Sequence, residues 1–288
     1  MRLTRIAGAG VTALLATGTL VGATSTAAHA AVVSSTYSCT PSVGSPFDMP
    51  VSVDLAFPTT AVAGTPIPAG FLSFPTTASI PAVVQTAPGG PDSLGVTGAR
   101  SADFGANIGP AAVKAPTTWT KPGSADGSGN YVYTGNGING AFILPKADSY
   151  TATMPKTFTF VGTGAGGADT TYTATCTTAS PATIGTITLS KQLVTVKAKA
   201  PKSAEQGDVV TVKGKVLAQY AKVGGPVATG KVVVKDGNKT VGKGKVKNGE
   251  YKVKVKGLAK GAHSLVVTYK GDDFVGKGAS KARSVTVS

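Results

Sequence analysis

Proton transfer and metal ligation need imidazoles, thiols or clustered carboxylates, and this chain supplies few of them. Of its two histidines, His29 lies in the N-terminal segment and His263 stands alone in the rest. A Ser-His-Asp triad or a multi-histidine metal site is therefore hard to build. Glu205 and Glu250 are the only glutamates, each beside a turn, so paired-carboxylate hydrolysis would depend on scattered aspartates. Gly162-Thr163-Gly164-Ala165-Gly166-Gly167 matches G-x-G-x-x-G. Phosphate binding by that motif requires a helix N-terminus after it. Thr170-Thr171-Tyr172 reads as a strand instead, so the glycines are expected at a hairpin tip. Asp126-Gly127-Ser128-Gly129-Asn130 begins like a calcium loop, but its twelfth position is Gly137 where a bidentate glutamate belongs. Trp119, the lone tryptophan, either fills a core or stacks on a sugar, and the core reading is preferred. The expectation is a non-enzymatic protein with no catalytic residue, cofactor or metal.

Two residue types remain that could act together. Cys39 and Cys176 are the only cysteines, and an even pair in an oxidising compartment is expected to form a disulfide. Metal-binding thiols are the alternative, but no histidine lies near them. The second type is lysine. Residues 31–190 carry five basic residues against seven aspartates, whereas residues 191–288 carry 21 basic against six acidic. Regions so different in charge predict two domains, 31–190 and 191–288, with Ser180-Pro181-Ala182-Thr183 as the start of a linker.

An oxidising compartment is itself expected from the N-terminus. Met1-Arg2-Leu3-Thr4-Arg5 is basic, an apolar run extends from Ile6 to about Ala23, and Ala28-His29-Ala30 follows. That order predicts a signal peptide over residues 1–30, with cleavage after Ala30. No later stretch approaches the ~20 apolar residues that span a bilayer, so no membrane insertion is expected after cleavage.

The elements that must hold the lysines and cysteines read as strands. Val51, Val53, Leu55 and Phe57 alternate with smaller or polar residues, Phe158–Val161 and Tyr172–Cys176 form two more strands, and Tyr131–Tyr133 and Ala141–Leu144 flank Gly135-Asn136-Gly137. Frequent prolines between residues 58 and 91 limit strands there to edges and short pieces. The first domain is thus expected to be a β-sandwich tied by the Cys39–Cys176 disulfide. Tyr37-Ser38-Cys39-Thr40-Pro41 and Thr173-Ala174-Thr175-Cys176-Thr177 give residues 33–190 a layout that resembles an uncharacterised domain of secreted actinobacterial proteins, which implies no activity.

In the second domain, alternating stretches are separated by Asp236-Gly237 and Asn248-Gly249, the strongest short hairpin signals. Seven strands in about 95 residues describe an immunoglobulin-like sandwich. Glu205-Gln206-Gly207-Asp208, Gly230-Lys231-Val232, Gly257-Leu258-Ala259-Lys260-Gly261-Ala262-His263 and Tyr269-Lys270-Gly271-Asp272-Asp273-Phe274 are, in order and spacing, similar to the landmarks of bacterial immunoglobulin-like repeat domains, over residues 194–288. That resemblance implies a spacer or adhesive module of a surface protein. The fold class expected for the whole is all-β, two consecutive β-sandwich domains after a cleaved signal peptide.

Strands are expected at Leu193–Lys199, Val209–Val216, Lys243–Lys247 and Tyr251–Lys256, all in one sheet. If their valines point inward, then Lys197, Lys199, Lys213, Lys215, Lys245, Lys247, Lys252, Lys254 and Lys256 point outward as one positive face, with Lys231, Lys235 and Lys270 on the opposite sheet. Such a face suits anionic cell-envelope polymers or glycans, with no specific nucleic-acid site. The competing reading is a carbohydrate-binding or accessory module that contacts glycan through Trp119 or exposed Tyr131 and Tyr133. A solvated face that deters aggregation is the plainer account of the lysines.

Overall fold

The computed structural model describes residues 31–288, so the signal-peptide reading lies outside the described residues. Among these, α-helix is confined to Ala82–Gln85, and no helix is long and apolar enough to cross a membrane. The chain is all-β. Eight antiparallel strands of the first domain are β1 (Ala31–Pro41), β2 (Phe47–Leu55), β3 (Ser73–Pro81), β4 (Gly98–Ser101), β5 (Thr117–Thr120), β6 (Asn130–Ile138), β7 (Thr157–Thr163) and β8 (Asp169–Thr177). They pair in the order β1-β8-β7-β4-β5-β6-β3-β2 and close on β1 as a barrel. Alternation drives the closure: Phe47, Met49, Val51 and Val53 of β2 turn inward while Asp48 and Pro50 face out. The interior is filled by aromatic rings, with Phe104 edge-on to Phe158 at 5.1 Å and Trp119 stacked on Phe160 at 5.8 Å. Cys39 sits directly opposite Cys176 in the β1–β8 ladder and is bonded to it, so the disulfide joins the first and last barrel strands.

A five-stranded sheet made from Thr60–Val62, Thr183–Ser190, Ser149–Thr153, Gly105–Ile108 and Ala111–Lys114 forms a second layer of the first domain. Its core gathers Ile108, Leu144, Ile187 and Leu189 and includes Phe274 from the second domain.

Three local expectations are corrected. Ser180–Thr183 does not begin a linker, because Thr183–Ser190 is a strand of the five-stranded sheet and the domain passage is confined to Lys191-Gln192-Leu193. Proline does not shorten β3, a nine-residue strand paired on both sides. Its register with β2 begins at Thr76, so the missing N–H of Pro75 lies beyond that ladder. Gly135-Asn136-Gly137 does not separate two strands but lies within β6. A Cβ on Gly135 would stand 1.9 Å from the Thr118 carbonyl oxygen, so this glycine serves close strand packing.

The second domain comprises β9 (Val194–Lys199), β10 (Val210–Ala218), β11 (Gly230–Asp236), β12 (Lys239–Lys247), β13 (Glu250–Val255), β14 (Gly261–Tyr269) and β15 (Arg283–Val287). Val196, Val210, Val212, Val246, Val253 and Val255 are buried as expected, and Val194 packs against the same core. The hydrogen-bonded path runs β9-β10-β13-β12-β11-β14-β15 without a break. Strand β12 therefore does not belong with β9, β10 and β13 alone. It pairs with β11 from Gly230↔Val246 to Asp236↔Lys239, and with β13 only through Val246↔Tyr251 and Lys247↔Glu250. The hairpin after β12 has Asn248 and Gly249 both at positive φ, 49° and 73°. The one after β11 turns at Gly237-Asn238, with positive φ at Gly237 alone, so Asp236 ends the strand rather than entering the turn.

Candidate anion-binding face

Register determines which lysines meet. Lys199 lies opposite Lys213 on β10, and Lys213 lies opposite Lys252 on β13. These three form one row across three strands, and no acidic residue interrupts it. The next row holds Lys197 opposite Lys215, Lys215 opposite Glu250, and Glu250 opposite Lys247. Lys215 Nζ reaches Glu250 Oε1 at 2.9 Å. Both side chains are more than half exposed, so the pair adds little stability. Neighbouring strands are ~4.8 Å apart. Two ammonium charges at ~5 Å repel by about 0.8 kcal/mol in water, less where the chains splay apart. The cost is tolerable, but the first row offers nothing to offset it.

The two rows and Lys245 border an open groove of about 800 Å³. Its base is held by Tyr251, whose hydroxyl passes over Gly214 and donates to the Lys197 carbonyl at 2.9 Å. A Cβ on Gly214 would come within 1.9 Å of that carbonyl oxygen, so a side chain there would separate β9 from β10. Seven of the nine expected lysines line the groove, and the other two do not. Lys254 is exposed two pairs further along β13, opposite Thr211, and Lys256 follows the end of β13. Sequence reasoning missed Glu250, although extending the Lys252/Lys254 alternation back by two residues places it on the same outward face. Lys231 is less remote than expected, because the pairing of β12 with β11 sets it directly opposite Lys245.

Residues 194–288 match the bacterial Ig-like domain (group 3) family.

A search of curated proteins found no match. The Ig-like domain also explains His263, which stands on β14 as a strand residue. Its Nδ1 faces Asp236 Oδ2 at 2.6 Å and its Nε2 faces the Ala259 carbonyl at 2.7 Å. The Ala259 carbonyl first, and then Asp236, raise its pKa above the ordinary value. Asp272 has a loop-fixing part: it accepts from the backbone N–H groups of Thr229, Phe274 and Val275. Burial pushes its carboxyl up, but these donors hold it below the usual range.

The candidate sugar contacts of the first domain are corrected. Trp119 is buried among Phe104, Phe158 and Phe160, and Tyr133 is fully buried with its hydroxyl bonded to Gln85 Oε1 at 3.0 Å. Neither ring can stack on a glycan from outside. Tyr131 is half-buried, with Lys121 Nζ 5.3 Å from its ring centroid. Gly164–Gly167 form the tip of the β7–β8 hairpin, with β8 and not a helix after them. In the Asp126 loop, Oδ1 already accepts the N–H groups of Ser128 and Asn130 at 2.9 Å each.

Proposed function

We propose that this protein is an exported, non-enzymatic envelope module whose Ig-like domain adsorbs to anionic surface polymers through the outer face of β9, β10 and β13. The row Lys199-Lys213-Lys252 carries this reading, because three like charges are set in register with no acid between them. An anionic chain laid on the row would relieve that repulsion. Lysine supplies a compact, hydrated charge, which suits salt-sensitive attraction to many polyanions over bidentate recognition of one group.

The test compares two variants of the full chain on an immobilised anionic polymer. Lys199→Gln/Lys213→Gln/Lys252→Gln should elute at clearly lower salt than wild type while keeping its circular dichroism. Lys235→Gln/Lys270→Gln, on β11 and just after β14, should shift elution less. Equal shifts, or wild-type retention indifferent to salt between low and physiological strength, would overturn the reading.

A further inference from the structure

Beside the lysine groove lies a second, and the two share a wall. Strand β9 ends the hydrogen-bonded path of its sheet, pairing with β10 on one side only. Its other edge borders an open groove of about 770 Å³, whose far side is the segment from Ala279 to Arg283. Gly278 brings that segment close, since a Cβ there would lie 2.5 Å from Val194 Cγ1. The charged residues of this groove are Lys197, Lys199, Lys281 and Arg283, with no acid. Lys197 and Lys199 also line the first groove, so the basic strip passes over the β9 edge unbroken. Arg283 is fixed rather than free: its Nε donates to the Ala198 carbonyl at 2.7 Å. That bond uses one of five guanidinium N–H donors and leaves the planar pair of Nη groups for an oxyanion.

Lysines that merely guard a sheet edge need only stand on it. Here the positive charge continues inward through Lys213 to Lys252, two strands from the edge. A single small anion would use one spot on such a strip. We propose, resting on the polymer-binding reading above, that the occupant is a linear polyanion running across the strands, from the lysine groove over the β9 edge to Arg283. Arg283 would grip one oxyanion group in a fixed orientation, while the lysines hold the rest of the chain by charge alone. Length then becomes the selected property, because a chain that reaches both grooves gains an intramolecular second contact.

The experiment uses the full chain and inorganic polyphosphate in graded lengths, read by titration at fixed salt. Wild type should bind long chains at least about tenfold more tightly than chains that fill one groove. Lys281→Gln/Arg283→Gln should lose most of that gain and keep the short-chain affinity. Lys281→Gln/Arg283→Lys, which retains a charge at the edge but not the fork, should recover only part of it. A gain from length untouched in both variants would overturn the two-groove path. Failure of the underlying reading looks different: Lys213→Gln/Lys252→Gln, which spares the second groove, would then bind short chains as wild type does.

Discussion

A carboxylate and a carbonyl flank the ring of His263, and both can only accept. Both ring nitrogens must therefore donate, and only the imidazolium form does so. The side chain is 12 % exposed, so solvent screens the contact incompletely. The folded state raises the pKa of His263 from the ordinary 6.5 and lowers that of Asp236, through the His263 hydrogen bond first, from 3.8. For the histidine, the added stability is fully present below pH 6.5 and is lost as pH rises through the raised folded value. For the aspartate, it is present above 3.8 and is lost as pH falls through the depressed value. The tie between β14 and β11 is thus strongest between those limits. His263→Gln should lower the stability of the Ig-like domain by about 1 kcal/mol near pH 5.5. Above the raised pKa the difference should shrink. Urea titrations at pH 5.5 and pH 8.5 check this, and an equal loss at both would show that the charge plays no part.

Among the elements, the β1–β8 pair has the greatest leverage. Its strands are 137 residues apart at the cysteines, and the barrel closes only where they meet. In the chain-entropy picture a bridge of that span stabilises by roughly 5 kcal/mol. Cys39→Ala/Cys176→Ala should therefore lower the stability of the first domain by several kcal/mol and leave unfolding of the Ig-like domain where it was. Thiol labelling of native wild type should find no reactive cysteine, and quantitative labelling would contradict the bond. Much at this scale was legible in the sequence. Alternation at Val51, Val53 and Leu55 and in the valines of β9, β10 and β13 gave the strands and their inward faces, although β2 reaches back to Phe47 and stops short of Phe57. What escaped reading depends on partners distant in the chain. Nothing local in Pro75 says that its ladder with β2 begins one residue later. Nothing local in Gly135 says that the Thr118 carbonyl will lie against it. The lysine face was readable because alternation alone decides which side a strand residue takes. The split of β12 between two neighbours was not, because register is set by pairing. Arg283 stayed hidden for the same reason, since its contact with Ala198 crosses 85 residues.

At the scale of the whole molecule, the Ig-like core meets the smaller of the first domain's two cores at a small, well-bonded junction. The Ig-like core draws all its members from residues 194–287 and holds no cysteine, so residues 191–288 should fold alone, with a β-rich circular dichroism spectrum and a cooperative thermal transition. A random-coil spectrum would refute that independence. In the full chain, however, the domains are not strung on a loose tether. Gln192 is 1 % exposed, and its side-chain amide donates to the Ala63 carbonyl of the first domain while its Oε1 accepts from Tyr220 N–H of the second. Its backbone is held on both sides as well, by the Phe274 carbonyl and Gly276 N–H. Phe274 completes the small core of the first domain, and Ala147 N–H donates to the Asp273 carbonyl beside it. Gln192→Ala would strand the buried Ala63 carbonyl, at ~1–3 kcal/mol if water does not replace the lost amide, and leave the part-buried Tyr220 N–H without its acceptor at a smaller cost. Gly64→Ala attacks the same place sterically. The position has φ +68°, and the new Cβ would meet Pro226 at 2.5 Å and Gln192 Nε2 at 2.6 Å. Neither residue contributes to the Ig-like core, so both variants should leave that domain's own unfolding temperature close to the value for the isolated fragment. Both should nevertheless loosen the pair of domains, seen as a larger maximum dimension in solution scattering and as faster proteolysis within Lys191-Gln192-Leu193. If the two variants scatter and cleave as wild type does, the junction does not set the domain arrangement, and the buried amide of Gln192 acts only within the passage between the domains.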